Sequence, residues 1–217
     1  MLEAFKRPFT NLKAFAISSL IGAIPILGLL MIISYVLENL NKRKIEDWNS
    51  SKIGNYLMNC LVVVFYSLAY FFVPLILIIF VLIFAFGFDK IILQIINSTN
   101  YLEAVNILTQ AISISIIALL IVIIAYIMTS CANAAALLKY AKNKKITLSH
   151  KFFLYFTNLK FLLYFILGII YIGILISVAN LFFVVPLIGL IIGSIANGAA
   201  LYIGYTTMYT MLAKFVR

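Results

Sequence analysis

The chain has 217 residues, 65% of them apolar and 10% charged, with a formal net charge of +10. Soluble domains are roughly half apolar and about a quarter charged, so a soluble globular domain is excluded. The basic excess does not point to nucleic acid either: the lysines and arginines stand beside apolar runs, where they orient helices and meet anionic lipid head groups.

No Asp, Glu, Lys, Arg or His falls within 14–37, 53–87, 106–138 or 161–213. Each stretch reaches the roughly 20 apolar residues that a helix needs to cross a bilayer. Inside lipid the backbone must satisfy its own hydrogen bonds, so the spans are helices. The expected fold is all-α. It is a single integral membrane domain over 1–217, with about five hydrophobic helices at 14–37, 56–86, 107–138, 161–182 and 186–213. Interfacial amphipathic helices are expected between them.

Lys6, Arg7 and Lys13 precede the first run as the basic segment of a signal peptide would. The run is too long for such a peptide and no small-residue cleavage site follows, so it reads as retained. Inside it lie Gly22, Pro25 and Gly28. Pro25 removes a helix donor and clashes with the preceding turn, so a hinge or break is expected there. A kinked single span fits this pattern, and so does a re-entrant hairpin turning between Gly22 and Gly28. Residues 39–55 are polar and charged, and Ile45, Trp48 and Tyr56 could share one face of a surface helix. Trp48 is the one Trp and is expected at the membrane interface as an anchor.

The second run is longer than a ~30 Å hydrocarbon core requires, so tilt and a kink near Pro74 should absorb the excess. Between 87 and 106, Ile91, Ile92, Ile95 and Ile96 recur at helical spacing, which predicts a short amphipathic surface helix. The third run ends in small residues, and Ala132 and Ala136, four apart, permit close helix approach. A basic loop follows over 139–160, with Phe152, Phe153, Tyr155 and Phe156 as an aromatic belt. The stretch 161–213 must be two helices, broken at Asn180 to Pro186. The last helix carries Gly189, Gly193, Ser194 and Gly198, whose spacing forms a groove that another helix can enter.

One pentapeptide occurs twice. Phe-Thr-Asn-Leu-Lys occupies Phe9 to Lys13 and Phe156 to Lys160, each time leading into an apolar run. The two copies are either a repeat or convergent use of good boundary residues. Their sidedness follows from where the 16 lysines and arginines fall. If all five runs cross with the N-terminus outside, Lys6, Arg7, Lys13 and Lys90 lie outside and the other twelve inside. If the first run turns back, Lys90 alone lies outside. Either way the positive-inside rule makes 39–55, 139–160 and the C-terminus cytoplasmic in a multi-pass cell-membrane protein. The two copies share a side only if the first run is re-entrant.

The chemistry offered by the runs is sparse. They hold no ionisable residue except Cys and Tyr, which argues against a proton or ion relay. No Gly-x-Ser-x-Gly, P-loop or metal-ligand cluster is present. Cys60 and Cys131 have no CxxC or Cys/His spacing and read as small apolar packing residues. His150 sits among lysines in a solvated loop, and the Glu46–Asp47 pair reads as a solvated charge run. No catalytic residue, cofactor site or metal site is therefore expected, and the chain reads as non-enzymatic.

The chain resembles the mainly archaeal multi-span membrane family called domain of unknown function 4013. The resemblance lies in Pro8-Phe9 through Lys13, the Gly22/Pro25/Gly28 run leading to Tyr35, and Asp47-Trp48. It continues in the Ala-rich stretch before Lys139-Tyr140-Ala141 and in the closing helix from Pro186 to Gly189. The resemblance implies a multi-span architecture and no particular activity. Function is expected through helix packing at Gly189, Gly193, Ser194, Gly198, Ala132 and Ala136, with a second copy or a membrane-complex partner. Anionic lipid head groups are expected at Lys42, Arg43, Lys44, Trp48, Lys144, Lys145 and Lys151. The alternatives are a carrier of a neutral or lipid-like substrate, built on the break at Pro25, and a lipid-modifying enzyme.

Overall fold

The computed structural model describes residues 2–42, 44–85, 101–185 and 188–216. Its described elements are all helical. They are α1 (Leu2–Lys6), α2 (Leu12–Gly22), α3 (Leu27–Asn39), α4 (Ile53–Ala85), α5 (Tyr101–Asn143), α6 (Leu159–Asn180) and α7 (Gly189–Leu212), joined in part by short 3-10 turns. The chain forms two compact units. Met1–Ser67 with Cys131–Arg217 makes the first, and Leu68–Ser130 makes the second. In the second, the rings of Phe71 and Tyr126 lie 5.4 Å apart and Thr129 hydrogen-bonds back to the Ala125 carbonyl.

Four helical stretches among the described residues are long and apolar enough to cross a membrane. They are Ser50–Phe72, Leu119–Asn143, Leu159–Val184 and Gly189–Leu212. Each overlaps one of the four later apolar runs. The chain breaks between α6 and α7 as expected, through a 3-10 turn at Leu181–Val184, while Pro186 lies outside the described residues. The helix runs on through position 74. Most of the surface helix expected over 87–106 lies outside the described residues, and its last part, from Tyr101, belongs to α5.

The first apolar run breaks at the expected hinge, and of the kinked span and the hairpin that fit its pattern it takes the hairpin's form. It is two helices, α2 of 11 residues and α3 of 13. At 1.5 Å per residue they are about 16 and 20 Å long, short of the ~30 Å core. The break falls at the proline. Ile26 adopts φ 61° and ψ −62°, and the Leu27 N–H donates to the Pro25 carbonyl at 2.6 Å. This is the rare form of the γ-turn, strained for a β-branched residue. The tip is apolar and exposed: Ile26 is 76% and Leu27 66% accessible. Behind the tip the two helices nearly touch, since a Cβ on Gly28 would lie 2.2 Å from the Ile21 carbonyl oxygen and 2.9 Å from the Gly22 Cα. Helix α7 packs on the other side of this hairpin, where Gly198 meets Gly22.

The repeated pentapeptide builds one local structure twice. A 3-10 turn ends at its Phe, over Arg7–Phe9 in one copy and His150–Phe156 in the other. The Thr hydroxyl closes that turn, Thr10 on the Arg7 carbonyl and Thr157 on the Leu154 carbonyl, both at 2.8 Å. The Asn then caps the helix. Asn11 Oδ1 accepts the Ala14 N–H at 3.0 Å and Asn158 Oδ1 accepts the Phe161 N–H at 3.2 Å. An Asn cap of this kind stabilises a helix start by about 1 kcal/mol.

Candidate functional site

A cluster of polar and charged residues of the first unit stands at one end, and both copies of the pentapeptide are there. Asn11 donates through Nδ2 to Asp47 Oδ1 at 2.7 Å and to the Ile45 carbonyl at 3.2 Å. The Arg7 guanidinium donates to the carbonyls of Asn39, Leu40 and Lys42 at 2.7, 3.0 and 2.9 Å. It thereby caps the C-terminal end of α3, where unpaired carbonyls and the helix dipole favour a cation. Burial pushes its pKa below the ordinary arginine value. Asn41 donates to the Ala141 carbonyl at the end of α5, and Lys142 donates to the Val216 carbonyl at the C-terminus. Tyr164, one turn into α6, stacks on Phe215 with ring centres 5.2 Å apart. The N-terminal arm, the loop after α3, the end of α5, the start of α6 and the C-terminus therefore share one end. The first run is a helical hairpin: it leaves this end and returns to it.

The loop after α3 has no regular secondary structure over 45–49, where a surface helix was expected. Even so, the three side chains expected on one face turn inward: Ile45 and Tyr56 are buried and Trp48 is half-buried. Trp48 stacks on Tyr35 at 4.2 Å with an interplanar angle of 8°, and meets the Tyr56 ring edge-on at 5.0 Å. Its Nε1–H donates to Ser18 Oγ at 2.9 Å. The Tyr35 hydroxyl donates to the Glu46 carbonyl. Trp48 is thus a strut that fastens the loop to both arms of the hairpin. Glu46 binds Lys42 and Lys52 at 2.6 and 2.8 Å, which holds its carboxyl down at about 2. Asp47 pairs with Lys13 at 3.7 Å.

A second polar chain crosses the bundle below this loop. Lys144 Nζ binds Glu38 Oε2 at 2.6 Å, Asn59 Nδ2 donates to the same oxygen at 3.2 Å, and the Tyr140 hydroxyl donates to Asn59 Oδ1 at 2.9 Å. It ties α3, α4 and α5 together. Sequence reading missed it because Glu38 stands one residue beyond the uncharged run. Its partners come from 21 to 106 positions away, and no local spacing announces them.

The expected helix-packing residues are occupied by the chain itself. A Cβ on Gly198 would stand 2.1 Å from the Ser19 carbonyl oxygen. One on Gly193 would stand 2.7 Å from the Phe183 ring, and one on Gly189 2.9 Å from the Phe182 and Phe183 carbonyl oxygens. Ser194 donates to Leu190 of its own helix at 2.7 Å. Ala132 and Ala136 are fully buried. Among the expected head-group lysines, Lys44, Lys145 and Lys151 are exposed, while Lys42 and Lys144 are in ion pairs; Arg43 lies outside the described residues.

Two grooves open on the first unit. One of about 530 Å³ runs between α2 and α7, walled by Phe15, Leu20, Ile192 and Ile195. The other, of about 550 Å³, lies at the polar end between the tail of α5, the 147–158 segment and Phe215. No group of three or more His, Cys, Asp or Glu among the described residues could hold a metal ion. These features define an all-α protein with, among the described residues, four helices long and apolar enough to cross a membrane. Comparison with family models, with curated proteins and with solved structures finds no match for this chain.

Proposed function

We propose that this chain is a non-enzymatic multi-pass membrane protein that works by association at its basic end, with anionic lipid head groups and with a membrane partner. The observation that carries this reading is a division of labour between surfaces. The small-residue stripe of α7 is filled by Phe183 and by the α2–α3 hairpin, so it holds the fold together. The polar end, in contrast, presents Lys6, Lys44, Lys145, Lys151, Lys160 and Lys214 as exposed cations. By the positive-inside rule this end, with the N-terminus, 39–55, 139–160 and the C-terminus, faces the cytoplasm of a cell membrane. Membership of the family called domain of unknown function 4013 is part of the same proposal and rests on the motifs described above.

The test is the lipid dependence of the reconstituted protein. Its thermal midpoint should be higher in bilayers containing phosphatidylglycerol than in pure phosphatidylcholine, and the gain should shrink with salt. Equal midpoints in the two lipids would overturn the reading.

The 530 Å³ groove favours a second reading, a facilitator of lipid-like substrates, because it lies against the strained hairpin and is walled by apolar side chains. Under that reading Pro25→Ala slows transfer of a fluorescent lipid analogue between leaflets while the fold is retained. An unchanged rate would remove it.

A further inference from the structure

A small cavity lies where the N-terminal arm, the end of α3 and α7 meet. It measures about 10 Å³, room for one water-sized guest. Arg7, Tyr35, Asn39, Ile45, Thr206 and Thr210 line it. Thr206 is 2% exposed, and among the described residues no group pairs with its hydroxyl. The other polar side chains are committed. Tyr35 donates to the Glu46 carbonyl, and Thr210 donates to the Thr206 carbonyl at 2.6 Å. Asn39 spends both ends of its amide, donating to the Tyr35 carbonyl and accepting the Glu46 N–H. Arg7 donates through Nη2 to three carbonyls and through Nη1 to Thr210 at 3.4 Å. Its charge meets dipoles alone, since among the described residues no carboxylate pairs with it.

Size and charge together select the guest. The volume admits one atom-sized ligand and is too small for a carboxylate, a sulfate or a phosphate. The buried Thr206 hydroxyl needs an acceptor, because a buried donor left unpaired is costly. A half-buried guanidinium with no counter-charge favours an anion. A water could accept from Thr206, but it would bring two hydrogens of its own and leave Arg7 without a counter-ion. A monatomic anion accepts, donates nothing and supplies the missing charge. We propose that this cavity binds one halide ion, chloride in the first instance, held between the Arg7 guanidinium and the Thr206 hydroxyl. Because its walls come from the N-terminal arm, α3, the loop after it and α7, the bound ion stabilises their assembly. The site is independent of the lipid and partner association proposed above.

The test is the thermal midpoint of the full chain in a neutral detergent without added lipid, with gluconate, chloride or sulfate at one ionic strength. Replacing gluconate by about 100 mM chloride should raise the midpoint by about 3 °C, and sulfate should not. Thr206→Val keeps the shape of the side chain and removes its donor, so the chloride shift should vanish. Thr206→Ser keeps the hydroxyl and should keep the shift. Thr207→Val, a neighbour on α7 that is equally buried but does not line the cavity, should keep it too. If chloride and gluconate give equal midpoints, the cavity holds water and the halide site is overturned. If sulfate stabilises as much as chloride, the effect is general screening and the proposal fails. If Thr206→Val keeps the full shift, chloride binds elsewhere and the assignment is wrong. The comparison of the three anions uses the unaltered chain, so it decides the question even where a variant fails to fold.

Discussion

Replacing Gly198 with alanine adds one methyl group at the tightest helix crossing in the first unit. The new Cβ would lie 2.1 Å from the Ser19 carbonyl oxygen and 2.9 Å from both the Ala23 nitrogen and the Gly22 carbonyl carbon. All three are backbone atoms, so no side chain can swing aside. Ordinary contact begins near 3.4 Å, so the hairpin must retreat by about 1 Å. Overpacking of this kind costs about 3 kcal/mol at the upper end of its usual range, against a helix-propensity gain of about 1 kcal/mol for Gly→Ala. The net expectation is a loss of about 2 kcal/mol. Gly173→Ala is the matched control: it lies within α6, and nothing stands within 4 Å of its Cβ position. It carries the same propensity gain without the clash, so the two variants should differ by about 3 kcal/mol. Denaturant unfolding in detergent, followed by Trp48 fluorescence, measures that difference. Trp48 reports on the hairpin because it hydrogen-bonds Ser18 and stacks on Tyr35. If Gly198→Ala unfolds with Gly173→Ala and instead dissolves an oligomer, Gly198 faces another molecule and the intramolecular packing argument is wrong.

Four other outcomes are expected. With Cys60 and Cys131 replaced by Ala, single cysteines at Asn11 and Asn158 should react with an impermeant thiol reagent from the same side of the membrane; opposite-side labelling would exclude the re-entrant hairpin. Arg7→Gln should lower stability by about 2 kcal/mol relative to Lys6→Gln, because three carbonyls at the end of α3 lose a charged donor; equal thermal midpoints would refute the capping role. The folded Glu46 carboxyl titrates at about 2, below its ordinary 4.5, so its contribution is present above about pH 4.5 and lost as pH falls toward 2; acid titration of Glu46→Gln should lack that phase, and an unchanged titration would contradict it. Ile26→Gly should raise the unfolding midpoint, since glycine accepts the positive φ and Ile26 is 76% exposed at the tip; a lower midpoint would show that the side chain matters more than the strain.

The two copies of Phe-Thr-Asn-Leu-Lys show how much was legible in the linear chain. Thr donates to the carbonyl three residues back and Asn accepts the helix-start N–H three residues on, so the same pentapeptide makes the same turn and cap in both places. The uncharged runs were equally plain. Hydrocarbon excludes charge, so their lengths announced about five hydrophobic helices, and four helices among the described residues are long and apolar enough to cross a membrane. Ile45, Trp48 and Tyr56 were readable as one face of a surface helix, but the segment 45–49 has no regular secondary structure and Trp48 packs on Tyr35 and Tyr56.

What sequence alone left open was partnership. Gly22, Pro25 and Gly28 were visible as a weak point, but a kink and a hairpin use the same residues. The choice between them depends on what receives the returning arm. Here Arg7 caps the far end of α3, Asp47 takes Asn11, and Gly198 of α7 gives the hairpin a place to lie. The small-residue stripe of α7 was likewise readable as a packing surface and silent about its occupant, because a missing Cβ invites any helix close enough. Composition and local hydrogen bonding act over a few residues, so the chain itself determined the helices, their caps and their need for lipid. Contacts between residues up to 203 positions apart, such as Arg7 with Thr210, exist only after folding, so only the tertiary structure decided which helix turns back and which residues it turns back to.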